Sequence, residues 1–139
     1  MILTDAGPLV ALIDADEADH ELCRAVLAQV DPPLLTTWPA FTEAMYLLSR
    51  GGGSKGRAAL WSLVLTERLQ IVDLSTAVVA RSAELMERYA DLPMDLADAS
   101  LVVLAEHMGD GRILSTDVRD FRTYRWKNRK PFTNLLLTE

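Results

Sequence analysis

The chain has 139 residues, half of them hydrophobic, with 20 acidic against 14 basic side chains and one cysteine. That length suits a single domain with a sizeable core, and the composition excludes a collagenous, disordered or disulfide-stapled chain. No apolar run approaches the roughly 18 residues of a membrane helix, and the net charge of −6 argues against broad coating of nucleic acid.

Two histidines and one cysteine are too few for a Cys/His zinc site. The start, Met1-Ile2-Leu3-Thr4-Asp5, has no basic region and meets an acid at once, so no secretory leader is expected; lone Cys23 fits a reducing cytoplasm. Charge is unevenly spread. Residues 1–49 hold eight acids and one base, Arg24, whereas residues 119–130 hold six bases interleaved with Tyr124 and Trp126. A basic segment of that kind can hold a phosphate backbone even in an acidic chain.

In chain order, Ile2-Leu3-Thr4 predicts a first strand that Asp5 ends, and Gly7-Pro8 opens a helix with Pro8 in its first turn. Asp14 to Asp19 read as a solvated acidic turn, and Glu17 to Val30 as a second helix stopped by Pro32-Pro33. Leu34 to Thr37 predict strand two, and Pro39 begins a third helix that Gly51-Gly52-Gly53 breaks. Ser54 can cap the next helix, Lys55 to Glu67, and Leu69 to Val72 form strand three. Ser75 is expected to cap a long helix to Ala90, and Pro93 introduces the apolar helix Met94 to Glu106. Ile113-Leu114 predict strand four, Val118 to Tyr124 a short helix, then a basic loop and a last strand at Phe132 to Leu137. Strands alternating with helices mean a mostly parallel sheet of four to five strands covered on both faces, an α/β three-layer fold.

Four acids share one context. Asp5 and Asp117 follow strands one and four; Glu43 and Asp98 lie in first turns of helices, at the sheet edge where α/β proteins gather their ligands. Asp95 and Asp98 are spaced to share one helix face. Crowded carboxylates repel one another and resist losing water, and an all-oxygen set of this kind suits Mg²⁺ or Mn²⁺. A cation there can acidify a bound water and neutralise a phosphoryl oxygen, which points to phosphodiester hydrolysis. Each acid also has a structural reading. Acids near a helix start favour its dipole, a role that suits Asp95, and Asp120 can cap the short helix or pair with an arginine. His20 reads as a surface or partly packed residue, and Trp38, Phe41, Tyr46 and Trp61 as core or interface.

The segments Leu3-Thr4-Asp5-Ala6-Gly7-Pro8-Leu9-Val10, Thr42-Glu43-Ala44-Met45, Leu96-Ala97-Asp98-Ala99-Ser100-Leu101 and Ile113-Leu114-Ser115-Thr116-Asp117-Val118-Arg119-Asp120-Phe121 together resemble a PIN domain. They resemble in particular the stand-alone VapC-type toxins of VapBC toxin–antitoxin pairs, over nearly the whole chain. The resemblance implies a PIN-like three-layer fold and a Mg²⁺- or Mn²⁺-dependent endoribonuclease. It implies catalytic roles for Asp5, Glu43, Asp98 and Asp117, with Asp5, Asp98 and Asp117 as main metal ligands and Glu43 completing the site. Ser115, Asp95 and Asp120 become auxiliary residues. A homodimer and a small antitoxin partner are also implied. One departure is Ala6, where many members carry Ser or Thr.

On this reading water attacks phosphorus in line and leaves a 5′-phosphate and a 3′-hydroxyl, while Arg112, Arg119, Arg122, Arg125 and Lys127 hold the RNA backbone. An Asp5-nucleophile phosphatase would need a second Asp at the position of Gly7, and a non-catalytic binding module would not need all four acids. Phe41, Met45, Tyr46, Leu47, Trp61, Val64 and Leu65 give two helices more apolar surface than one sheet face needs, so a two-fold interface is expected there.

Overall fold

The structure, a computed structural model, describes residues 1–50 and 54–137; the tri-glycine break at Gly51-Gly52-Gly53 lies outside the described residues. In chain order the elements are β1 (Leu3–Thr4), α1 (Ala6–Ile13), α2 (His20–Leu27), β2 (Leu34–Thr37), α3 (Trp38–Ser49), α4 (Ser54–Leu65), β3 (Leu69–Val72) and α5 (Val79–Arg88). They continue with α6 (Leu96–Met108), β4 (Arg112–Leu114), α7 (Val118–Thr123), β5 (Arg125–Trp126), β6 (Lys130–Pro131) and β7 (Thr133–Asn134).

Five strands form one parallel sheet in the order β3-β2-β1-β4-β7, with Leu3 opposite both Leu35 and Ile113. Successive strand residues point to opposite faces. Leu3, Leu35 and Ile113 accordingly pack under α5 and α6, while Ile2, Leu34 and Leu114 pack against α1, α2, α3 and α4. This is the α/β three-layer architecture expected. The apolar helix is its most deeply set element: every residue of α6 from Ala97 to Ala105 is buried. No helix among the described residues is long and apolar enough to cross a membrane.

Several boundaries differ from those expected, each for a local reason. Residues 14–19 form turns, with Asp14 Oδ1 accepting from the Asp16 N–H, so α2 starts only at His20. Ser75 makes no side-chain cap, and a 3-10 turn at Thr76–Val78 precedes α5. Asp95 lies outside α6 as its N-cap, accepting from the Asp98 N–H at 2.8 Å, so the two acids do not share a helix face. The basic loop folds into the antiparallel hairpin β5–β6. The last strand is only Thr133–Asn134, because the Asn134 side chain takes over: it accepts from the Ser115 and Leu136 N–H groups and donates to the Ser115 carbonyl.

Candidate functional site

The parallel strands all end at one edge, and α6 begins there. Asp5 follows β1 as the N-cap of α1: its Oδ1 accepts from the Ala6 N–H at 2.8 Å and its Oδ2 from the Ser115 hydroxyl at 3.1 Å. Ser115, fully buried after β4, also accepts from the Asp117 N–H at 3.0 Å, so one hydroxyl ties two site acids together. With Ala6 in place of a hydroxyl residue, the contact to Asp5 from this position is the main-chain N–H.

Asp98, Asp117 and Asp120 each bring a carboxylate oxygen within 4.8 Å of the other two. Asp98 reaches the cluster from the first turn of α6, Asp117 from the N-cap of α7 and Asp120 from its first turn. Asp5 stands beside them, close enough for its charge to repel those of Asp98 and Asp117. Glu43, on α3, lies at the margin, within repulsive range of Asp5 and Asp95 and outside the three-oxygen cluster. The acids expected to converge therefore do so unequally, and Asp120 takes a more central place than the resemblance implied.

Burial is the largest influence on these groups. It pushes the Asp98 carboxyl up to about 8 and the Asp5 carboxyl up to about 7, with neighbouring carboxylates adding to both. Asp117 rises to about 6 through burial and its contact with Asp120, and Glu43 rises through burial and the charge of Asp95. Oδ1 of Asp120 is buried without a hydrogen-bond donor, its nearest cation being Arg119 Nε at 3.5 Å. Repelling carboxylates, one with an unsatisfied buried oxygen, form an all-oxygen donor set that fits a hard divalent cation.

Two contributors were not recognised in the sequence. Tyr124, fully buried, donates its hydroxyl to Asp98 Oδ2 at 2.7 Å; burial and the Asp98 charge push its phenol well above the ordinary range, so it remains a donor. Its spacing from Phe121 on a short helix, which turns both rings inward, was the available signal. Asn134 clamps Ser115 from β7; a lone amide inside an apolar run was its signal.

The basic residues separate. Arg112 begins β4 at the opposite edge of the sheet, where its guanidinium grips Asp110 and pulls that carboxyl down to about 2. Arg125 Nη1 donates to the carbonyls of Arg122, Thr123 and Tyr124, closing the end of α7. Arg119, Arg122 and Lys127 are exposed, with Arg119 nearest the acids. Gly7 lies under the Thr116 side chain, which would have to shift to admit even a Cβ at position 7, and the glycine itself cannot supply the second Asp of the phosphatase reading.

Residues 2–127 match the family model of the PIN domain. Ribonuclease VapC26 of Mycobacterium tuberculosis is 25% identical over 124 residues, covering 89% of this chain and 92% of that protein. Among solved structures, that of VapC20 from Mycobacterium tuberculosis, a Sarcin-Ricin loop cleaving toxin, is similar with a TM-score of 0.77 at 18% identity, covering 86% of this chain and 94% of that one.

Proposed function

The chain belongs to the PIN-domain family and is related to VapC-type ribonuclease toxins of toxin–antitoxin systems, and on that premise we propose that it is a Mg²⁺- or Mn²⁺-dependent endoribonuclease, the toxin of such a pair. The observation that carries this reading is the convergence of carboxylate oxygens from Asp98, Asp117 and Asp120 within 4.8 Å at the carboxyl edge of the sheet. These three would hold the cation, with Asp5 on the sheet side and Glu43 completing the site from α3. The bound cation supplies activation of water and neutralises charge on a phosphoryl oxygen.

The chain's own residues do the remaining work. Ser115 and the Ala6 N–H hold Asp5 in one orientation, and Tyr124 holds Asp98. Asp95 satisfies the start of α6 and fixes the turn that carries Asp98. Arg119, beside Asp120, would meet the phosphate nearest the acids, and the exposed Arg122 and Lys127 would contact the RNA backbone further out. Cleavage of an RNA panel with Mg²⁺ or Mn²⁺, abolished by chelator and by Asp98→Asn, is the expected result; intact RNA with both metals would refute the assignment.

The partners follow from the same premise. A cytoplasmic toxin of this kind requires a cognate antitoxin, and the single domain has a surface suited to self-association. Tyr46, Trp61 and Leu65 on α3 and α4 remain 63%, 43% and 79% exposed, whereas Phe41 is spent in the core. A dimer in sedimentation at tens of micromolar, converted to monomer by Leu65→Lys, is the expected behaviour.

A further inference from the structure

We infer that Tyr124 is a positioning residue for the reaction, fixing the Asp98 carboxylate through a buried hydrogen bond so that one Asp98 oxygen is left for the cation. This rests on the function proposed above. The geometry is specific. The hydroxyl donates to Oδ2 at 2.7 Å, and no other described residue donates to that carboxylate. A tyrosine hydroxyl has one proton to give, so it holds one oxygen and leaves the other without a hydrogen-bond donor among the described residues, while the carboxylate as a whole stands in the cluster with Asp117 and Asp120.

The phenol is itself held in place. Its ring packs edge-on against Tyr89 at 5.1 Å and Phe121 at 5.1 Å between centroids. The chain leaving it is pinned twice: the Arg125 N–H donates to the Tyr89 hydroxyl at 3.1 Å, and the Lys127 N–H to Glu106 Oε2 at 2.6 Å. Glu106 stands further along α6, the helix that carries Asp98, so donor and acceptor are braced against one rigid element. Groups that orient a ligand in this way set metal affinity as well as rate.

The test is Tyr124→Phe, which keeps both ring contacts and removes only the hydroxyl. Calorimetric titration with Mn²⁺ should show affinity weakened by about 10- to 100-fold. The loss of kcat should be recovered in part at high Mn²⁺, with KM for RNA unchanged. Tyr89→Phe, which removes a part-buried hydroxyl that braces the chain at Arg125 but does not touch Asp98, should weaken Mn²⁺ affinity less than Tyr124→Phe. In an Asp98→Asn background, Tyr124→Phe should produce no further loss of affinity. Unchanged affinity in folded Tyr124→Phe would overturn the inference, as would an equal loss in Tyr89→Phe.

A measurement on the wild-type chain guards against a variant that does not fold. A hydroxyl proton held at 2.7 Å and shielded from solvent should give its own proton resonance, displaced when Mg²⁺ is added. A resonance indifferent to saturating Mg²⁺ would overturn the inference. Wild-type protein that neither binds Mn²⁺ nor cleaves RNA would instead refute the proposed function. The crystal structures of wild type and Tyr124→Phe would then decide the positioning role: an Asp98 carboxylate turned away in the variant supports it, and an unmoved one overturns it.

Discussion

Helix α6 carries a largely buried carboxylate near each end, and the two are treated in opposite ways. Glu106 meets compensation: it accepts from Arg81 Nε at 3.0 Å, from Arg81 Nη2 at 2.8 Å and from the Lys127 N–H at 2.6 Å. Burial alone would raise its carboxyl, but these donors hold it below the usual range. Asp98 meets one phenol and, around it, Asp5, Asp95 and Asp117, and its carboxyl rises to about 8 through burial and that company. The difference separates an answered charge from an opposed one along one helix. The Glu106 end is a completed brace joining α5, α6 and the β5–β6 hairpin. The Asp98 end is held in a geometry that disfavours its own charge, and a cation bound as proposed would relieve that repulsion.

The largest expected effect comes from relieving the uncompensated end. Asp98→Asn should bring cleavage down to background, and the metal-free variant should melt no lower than wild type because one repelling charge is gone. Added Mg²⁺ or Mn²⁺ should raise its melting temperature less than that of wild type. Thermal melts with chelator and with metal check all three effects. A variant that melts clearly lower without metal yet gains as much from it would show Asp98 acting only through the helix end, a contribution of about 0.3–1 kcal/mol.

The pH dependence separates the two ends further. Asp5 and Asp98 have folded values of about 7 and about 8 against a starting value of 3.8, so above pH 4 the native state binds more protons than the unfolded chain. Metal-free stability should therefore fall as pH rises from about 4 to about 8. Glu106 works in the other sense: its folded value lies below 4.5, so its contribution is present above that pH and is lost only on further acidification. Melts in chelator between pH 5 and 8 thus isolate the site acids. A melting temperature that climbs across that interval would contradict the assignment of buried, repelling carboxylates.

Breaking the compensated end should have a more modest and purely structural effect. Glu106→Gln should cost about 1–3 kcal/mol of stability near neutral pH, the scale of hydrogen bonds to a charged group. The penalty should shrink on acidification below pH 4.5, as the native glutamate takes up its proton. The smallest effect concerns the RNA rim. Lys127→Ala should reduce the salt slope of RNA binding by roughly 0.7, the value for one lost phosphate contact on a single strand. Arg125→Ala should leave the slope unchanged and lower the melting temperature, since Arg125 Nη1 serves carbonyls at the end of α7. Filter binding across a salt series distinguishes the two.

Much of this protein could be read without coordinates because the relevant forces are local. The alternation of strand residues that sends Leu34 and Leu35 to opposite cores is a two-residue period. The apolar run of α6 and the acids at its start are a helix pattern with its cap, and the family segments mark the sheet edge where Asp5, Asp98 and Asp117 gather. Asp120 was within reach too, because it lies in the first turn of the short helix that Asp117 opens. Less accessible was the fate of the basic stretch. Arg125, Lys127 and Tyr124 look alike in sequence as residues for a phosphate backbone, yet one closes a helix, one lies on the exposed rim and one is sealed against Asp98.

By itself the amino-acid sequence determined the alternation of strands and helices and the parallel sheet, and it marked the acids from which a site could be built, since periodicity, caps and turn residues act over a few positions. Tertiary structure alone decided which carboxylates share space, which charges are answered and which are left opposed. The ionisation of a carboxyl depends on burial and on neighbours from distant parts of the chain. Asp98 and Glu106 acquire opposite shifts only when α5, α7 and the hairpin have closed around the helix that carries both.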